Sequence, residues 1–250
     1  ASRKTERYHW WPLLDNKTEE EDYVNNLFAK GGGIDKYGML CDNLALLYQK
    51  EYHRIPCDSK RTDKNWAGFC DRAASLSCLY SYPKKPVTVK YGPRQIEFMP
   101  ADIEALMICA SDNAIRRGKT VLYGKRNNTK KEDIKKIGAD KHKLIKSDPL
   151  PLDLLDILHS LTKELIPFVM DVDNGEAVWN YPFDSVKVTQ EAVAKYKKYL
   201  PNQGNNKVYR FILESSAYPE KNMDFIGYVN TYYNFVDQGW IGDNNPDFLW

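Results

Sequence analysis

Residues 65–80 read NWAGFCDRAASLSCLY, and this stretch predicts the helix around which the rest of the fold is arranged. A glycine and two aromatic residues precede Cys70, and a run with helical spacing follows it. Four small side chains share one face of such a helix: Ala73, Ala74, Ser77 and Cys78. Another backbone can approach that face closely, so the pattern predicts a buried helix that begins at Cys70.

A thiol at the first position of a helix has distinctive chemistry. There Cys70 faces backbone N–H groups without intrahelical partners and the positive end of the helix dipole, and both favour the thiolate. The same N–H groups can stabilise the oxyanion that forms when a thiolate attacks a carboxamide. Papain-like and transglutaminase-like enzymes use this arrangement. The spacing alone leaves two interpretations open with even weight, a catalytic Cys70 and a structural one.

The remaining patterns indicate an α+β fold of helices and antiparallel strands. After the Cys70 helix we expect a strand pair with a turn at 91–94 and a helix over 101–114. A further helix over 152–165 is expected because leucines recur at helical spacing. Its apolar face would carry Leu154, Leu158, Leu161 and Leu165.

The C-terminal third of the sequence predicts most of the sheet. Strands are expected at 167–172, 185–188 and 208–217, with a polar helix over 189–200. The last residues predict a hairpin with turns at DQG and GDNNP.

Charge and composition exclude several classes of function. With 36 basic and 34 acidic side chains the formal charge is +2, so we expect no nucleic-acid partner. No run of eighteen apolar residues occurs, so no membrane-spanning helix is expected. No His or Cys pair has zinc spacing, and the glycines at 31–33 lack the pattern of a phosphate-binding loop. We therefore expect no metal and no cofactor.

Four blocks of sequence occur in order along the chain: WAGFCDRAASL, IEFMPADIEALM, FVMDVDNGEAVWNYP and NPDFLW. Together they resemble the transglutaminase-elicitor family, known from secreted oomycete transglutaminases and bacterial relatives. The resemblance implies a papain/transglutaminase-like fold, in which the helix carrying the cysteine nucleophile packs on an antiparallel sheet. It divides the chain into an irregular N-terminal segment, 1–64, packed on the core, and a transglutaminase-like catalytic domain, 65–250.

The resemblance also assigns catalytic residues. Cys70 falls on the nucleophile of the family, and Asp171 in FVMDV falls on its aspartate. The histidine departs from the pattern, because family members resemble N-P-x-x-F-H where this chain has DPLPLD, with Asp153 in the place of the imidazole. His159, further along the same helix, is then the first candidate for the base, and His53 is the second.

Substrate contacts are expected from residues inside the matching blocks. Trp66 and Trp179 are candidate walls of an acyl channel, and each could instead belong to the core. Asn180 is the third expected substrate-binding residue. The stretch AVWNYPFDSVKV at 177–188 resembles the segment that plants recognise in oomycete members. Good agreement is limited to Val178, Trp179, Asn180 and Pro182, so the immune role is not expected to carry over.

The function implied by the resemblance is that of a protein-glutamine γ-glutamyltransferase. It forms a thioester with a glutamine side chain and passes the acyl group to an amine. Its partners would be proteins or peptides that carry glutamine and lysine or another amine, and we expect a monomer. A cysteine hydrolase on the same scaffold stays open, as a deamidase or as a peptidase acting on cell-wall peptides. An inactive binding module also stays open, because the histidine of the family is replaced.

Five cysteines are present, Cys41, Cys57, Cys70, Cys78 and Cys109. The odd count and the secreted character of the resembling family predict a disulfide between Cys41 and Cys57, with Cys70 left as a thiol. Cys78 is expected to be a buried thiol inside its helix. The family also implies a secreted or periplasmic location, although no signal peptide is visible in this chain.

Overall fold

The computed structural model describes residues 4–9, 11, 31–41, 68–117, 149–171, 179–241 and 248–249. Contacts divide the chain into two compact units. One is Arg7–Lys119, called here the helical unit; the other combines Ala1–Glu6 with Thr120–Trp250 and is called the sheet unit. Helices and antiparallel strands are both present, so the predicted α+β class is confirmed. The predicted boundary at 64/65 lies outside the described residues.

The helical unit contains three helices and one hairpin in its described part. They are α1 (Gly33–Cys41), α2 (Cys70–Leu79), β1 (Val87–Tyr91), β2 (Arg94–Phe98) and α3 (Pro100–Arg117). The predicted start of a helix at Cys70 and the predicted strand pair are confirmed. Helices α1 and α3 approach closely at Gly33, where an added Cβ would overlap the backbone of Asp102. Only glycine fits such a contact without a backbone shift.

Three of the four small residues on one face of α2 are buried, as the sequence predicts. Ala73, Ala74 and Ser77 are almost inaccessible to solvent, and within its unit α2 packs against α3. The apolar core around them also includes Tyr8, Trp11, Ile34, Phe69, Leu76, Ala105 and Ile108. Packing of the cysteine helix on an antiparallel sheet stays a prediction, because inside the helical unit the partner of α2 is another helix.

The core of the helical unit also contains a carboxyl group. Glu104 on α3 is 0% exposed. One of its oxygens accepts a hydrogen bond from the backbone N–H of His9, and the other accepts one from the hydroxyl of Tyr82 at 3.2 Å. Burial raises the pKa of Glu104 to about 7. Burial also lowers the pKa of His9 to about 4, because the imidazolium loses its hydration there.

The sheet unit contains one α-helix and seven strands in its described part. They are α4 (Pro151–Glu164), β3 (Phe168–Asp171), β4 (Asn180–Phe183), β5 (Ser185–Glu191), β6 (Asn205–Glu214), β7 (Met223–Tyr232), β8 (Phe235–Ile241) and β9 (Phe248–Leu249). Two antiparallel sheets result, with strand orders β4-β3-β9 and β5-β6-β7-β8. Short 3-10 helices occupy Val193–Tyr199 and Pro219–Lys221.

Helix α4 covers the four-stranded sheet. Its buried face carries Leu154, Ile157 and Leu158. These side chains share an apolar core with the aromatic rings of Phe211, Phe225 and Trp240. The indole N–H of Trp240 donates a hydrogen bond of 3.0 Å to the carbonyl of Pro149, which anchors the start of the helix to the sheet.

A single residue, Asp184, carries the chain from one sheet to the other. Strand β4 ends at Phe183 and β5 begins at Ser185. The carboxylate of Asp184 accepts hydrogen bonds from the N–H and the hydroxyl of Thr5, at 2.5 and 2.7 Å. It accepts further bonds from the N–H and hydroxyl of Ser216, at 3.3 and 3.2 Å. Asp184 therefore fixes three distant segments at one corner.

Two sequence predictions in the sheet unit were wrong. The polar helix expected over 189–200 is a continuation of β5 as far as Glu191, followed by the 3-10 helix Val193–Tyr199. Pairing with β6, where Thr189 lies opposite Arg210, extends the strand beyond its apolar residues. The hairpin turn lies at 233–234 rather than at DQG, because Tyr232 pairs with Phe235 and 237–239 lie inside β8. The expected turn at GDNNP lies outside the described residues.

The apolar face predicted for α4 ends earlier than expected. Leu165 follows the last helical residue, adopts a left-handed backbone with φ of 57°, and is 52% exposed. Its N–H and that of Ile166 bond back to the carbonyls of Thr162 and Leu161, at 3.3 and 3.0 Å. This is a Schellman end, a position at which glycine is usual because it has no Cβ.

Replacing Leu165 with glycine should therefore stabilise the protein. Relief of the left-handed strain outweighs the small burial of the side chain, so the free energy of unfolding should rise by roughly 0.5 kcal/mol. The control is Glu164→Gly, one residue earlier in α4, which should lower it by about 1 kcal/mol because glycine disfavours helix. Urea unfolding of both variants measures this, and equal losses in the two would contradict the interpretation.

The paired pKa shifts in the helical unit predict opposite pH dependences. Glu104 has a pKa raised from 4.5 to about 7, so the folded state holds the extra proton and stability falls as pH rises through that window. His9 has a pKa lowered from 6.5 to about 4, so the unfolded state holds the proton and stability rises with pH. The two slopes oppose each other between pH 4.5 and 6.5 in the wild type.

Replacing Glu104 with glutamine should remove the fall in stability that accompanies ionisation of Glu104 as the pH rises. Relative to the wild type, its free energy of unfolding should gain roughly 3 kcal/mol between pH 4.5 and 7. His9→Asn should show the opposite change: its free energy of unfolding should fall relative to that of the wild type as the pH rises from 4 to 6.5. Urea unfolding at several pH values gives both differences, and a difference independent of pH would refute the assignment for that residue.

Candidate active site

Cys70 is the first residue of α2 and is partly exposed. The preceding residue, Phe69, has a side chain that cannot accept a hydrogen bond, and no side chain caps this end of the helix. The N–H of Phe69 donates to the carbonyl of Trp11 at 3.1 Å, which fixes the entry into the helix. The thiol thus lies where the backbone N–H groups of the first turn point away from the helix.

A buried cation lies in the same helical turn. Arg72 is 7% exposed, and its guanidinium carbon lies 4.4 Å from the centre of the Phe69 ring. This cation–π contact holds the positive charge against the residue that precedes Cys70. The first turn of α2 therefore combines a positive helix end with a fixed cation.

Asp171 is the last residue of β3 and is 1% exposed. It pairs in register with Asn180 of β4, and its Oδ1 accepts the backbone N–H of Trp179 at 2.8 Å. Three residues predicted as site residues are therefore brought together at one end of the β3–β4 pair. Asp171 and Asn180 are buried, whereas Trp179 is partly exposed.

His159 lies on the exposed side of α4, next to the buried Leu158. Its backbone carbonyl accepts the hydroxyl of Thr162 at 3.1 Å. Within the described ranges, no hydrogen bond joins its imidazole to Asp171. Asp153, at the position of the family histidine, is also exposed, in the first turn of α4. His159 and Asp171 belong to the sheet unit, and Cys70 belongs to the helical unit.

Several predicted residues lie outside the described part of the chain. They are Trp66, His53 and Cys57. None of the four described cysteines forms a disulfide, and Cys41 is a thiol, so the expected bridge to Cys57 is not supported. Cys78 is partly exposed, which makes the prediction of a buried thiol wrong. Its position near the end of α2, just before the exposed Leu79, accounts for the difference.

No metal site is evident among the residues that the structure describes, where no three His, Cys, Asp or Glu side chains cluster suitably. The absence of a cofactor stays a prediction. Over the same residues, no helix has the length and apolar character needed to cross a bilayer. An open cleft beside the end of α4 is lined by Leu161, Phe168 and Asp184, and none of the predicted site residues lines it.

Sequence reasoning missed Glu104. The residue lies in the run ADIEALMIC, where a single glutamate among apolar residues indicates an exposed helix position. The signal that could have revealed it is the apolar run that follows it, since Ala105 and Ile108 belong to the core.

Comparison with known proteins identifies the family of the chain. No curated protein and no solved structure matches the chain. The model of the transglutaminase elicitor family matches residues 58–244, about three quarters of the sequence. The matched region includes Cys70, His159 and Asp171. With this match over most of its length, the chain belongs to the transglutaminase elicitor family.

Proposed function

We propose that the protein is a cysteine-dependent protein-glutamine γ-glutamyltransferase. The observation that carries the proposal is the position of Cys70 as the first residue of α2, partly exposed and without a side-chain cap beside it. A nucleophilic thiol needs access to substrate and donors for an oxyanion, and a helix start supplies both. Membership of a family named for transglutaminases supports the same chemistry.

The reaction proceeds in two transfers. The Cys70 thiolate attacks the amide carbon of a glutamine side chain, and backbone N–H groups of the first turn stabilise the oxyanion. The carbon–nitrogen bond breaks, ammonia leaves after accepting a proton, and a thioester remains on Cys70. A lysine or other amine then attacks the thioester, loses a proton, and releases the thiol with a new amide bond.

We propose His159 as the imidazole of this chemistry and Asp171 as the carboxylate that orients it. Asp171 occupies the aspartate position that the resemblance implies, and its carboxylate is oriented by the N–H of Trp179. A buried carboxylate of this kind commonly orients an imidazole and stabilises its protonated form. His159 is accessible on α4, two turns beyond the position where the family has its histidine. Trp179 and Asn180, beside Asp171, are the proposed substrate contacts.

Two other functions make different predictions. A hydrolase would transfer the acyl group to water, so it would release glutamate or cleave a peptide without incorporating an amine. A binding module without activity is favoured by one observation, the carboxylate of Asp153 in place of the family imidazole. Secretion or a periplasmic location belongs to the proposal as well, together with a monomeric state.

Replacing Cys70 with serine should abolish incorporation of a fluorescent primary amine into a glutamine-bearing protein. The loss should be at least about a thousandfold, because a hydroxyl at this position is a far weaker nucleophile than a thiolate. The matched control is Cys78→Ser, which changes a second partly exposed thiol eight residues along the chain and should leave turnover unchanged. Ammonia release without amine incorporation by the wild type would identify a hydrolase, and no turnover by the wild type would favour the binding module.

Replacing His159 with alanine tests the proposed base. Turnover should fall by roughly a hundredfold or more, the usual scale for a lost general base. The thermal midpoint should change little, because the side chain is exposed on α4. Both quantities are measured on one sample, and a folded variant with full turnover would direct the search to His53.

A further inference from the structure

We propose that Glu104 is a positioning residue for Cys70. Glu104 holds both ends of α2 through the N-terminal segment, and it thereby makes the reactivity of the Cys70 thiol depend on pH. The N-terminal segment here means residues 8, 9 and 11. The inference rests on the proposed function only in taking Cys70 as the reactive thiol. Glu104 itself does not touch substrate in this proposal.

The carboxyl of Glu104 is inaccessible to solvent on α3, and it joins two parts of the chain that flank α2. One oxygen accepts the N–H of His9 in the N-terminal segment. The other accepts the hydroxyl of Tyr82, three residues beyond the end of α2. Both oxygens act as acceptors, which is the role of an ionised carboxylate.

The N-terminal segment contacts the chain at both ends of α2. The carbonyl of Trp11 accepts the N–H of Phe69, the residue before Cys70, at 3.1 Å. At the other end, the hydroxyl of Tyr8 donates to the carbonyl of Ser81 at 3.0 Å. The rings of Tyr8 and Tyr82 also meet edge to face, with centroids 5.4 Å apart. One short segment thus spans the helix from the residue before it to the residues after it.

Several elements around this carboxyl contribute titratable or charged side chains. The N-terminal segment contributes His9, whose pKa is lowered by burial so that its ring is neutral near pH 7. The chain after α2 contributes Tyr82, and α2 contributes Arg72, which is held over the Phe69 ring. Helix α1 contributes Lys36, which is already paired with Asp102 of α3 at 2.5 Å. No described partner therefore keeps Glu104 ionised at low pH by direct ion pairing.

Protonation of Glu104 changes the hydrogen bonds that it can make. The acid form keeps one oxygen that can accept the N–H of His9, but its protonated oxygen becomes a donor, so the hydrogen bond with the Tyr82 hydroxyl must reverse its direction. Both contacts also lose the charge that strengthens a hydrogen bond to a carboxylate. With a pKa of about 7, this change falls within the physiological range. The link that positions Phe69 and Cys70 is then firm above about pH 7 and loosened below it.

The test is the rate at which iodoacetamide alkylates each cysteine, followed by peptide mass spectrometry between pH 5.5 and 9. In the wild type, the rate at Cys70 should show a step near pH 7 in addition to ionisation of its own thiol. In Glu104→Gln the step should disappear, and at pH 8 the rate at Cys70 should fall roughly tenfold, the scale of one lost charge-assisted hydrogen bond. The rate at Cys41, a partly exposed thiol on α1 measured in the same digests, should not change.

A second variant keeps the test decisive if Glu104→Gln does not fold. Tyr82→Phe removes a hydrogen bond that lowers the pKa of Glu104, so the step at Cys70 should move to higher pH. A folded Glu104→Gln with an unchanged profile, or Tyr82→Phe with an unmoved step, would overturn the proposal. Alkylation requires no acyl transfer, so a wild type that shows the step without turnover would refute the proposed function and leave this inference standing.

Discussion

The hydrogen bonds of Asp184 are the constraint on which the sheet unit depends. One residue separates β4 from β5, so the chain has no loop in which to absorb the change of sheet. The carboxylate satisfies donors from Thr5 and Ser216 at the point where both sheets meet. Because β4 pairs with β3, this corner also sets where the end of β3, and with it Asp171, lies relative to the four-stranded sheet. The unusual sequence AVWNYPFDSVKV is explained by this role: Pro182 is tolerated in an edge strand, and the aspartate after it makes the corner.

The helical unit depends on a carboxyl group of a different kind. Asp184 is partly exposed and accepts four hydrogen bonds, whereas Glu104 is fully buried and accepts hydrogen bonds from His9 and Tyr82. Burial without a cation favours the acid form of a carboxyl. The hydrogen bonds of Glu104 therefore change with its protonation. Helix α2, which begins at Cys70, packs against the helix that carries Glu104.

The sequence predicted the elements that have strong local signals. The start of α2 could be predicted because small residues and an aromatic–cysteine boundary coincide at Cys70. The hairpin turn at 233–234 could not, because Tyr233 adopts a positive φ of 51° that normally selects Asn or Gly. The end of α4 could not be predicted either, because Leu165 also adopts a positive φ. Leu165 is apolar and fits the helical pattern, so the sequence gives no sign of this conformation.

Longer-range features were beyond sequence reasoning. Thr5 and Asp184 are 179 residues apart, and neither has a local pattern that indicates the other. Glu104 resembles a surface residue of an amphipathic helix until its neighbours are placed. Within the candidate site, the motif positions of Cys70 and Asp171 could be assigned, and the pairing of Asp171 with Asn180 follows from strand register. The electrostatics around α2 required the packed structure.

The division of the chain has a consequence for the order of folding during synthesis. Residues 4–6 belong to the sheet unit, yet the whole helical unit is synthesised between them and the rest of that unit. Arg7–Lys119 is contiguous and has its own apolar core, so it can fold while the remainder is still on the ribosome. Thr5 must wait for Asp184 and for the N–H of Ala217, which bonds its hydroxyl at 3.2 Å. Residues 4–6 are thus translated before the helical unit and secured after it, and the entropic cost of closing so long a loop grows only slowly with its length.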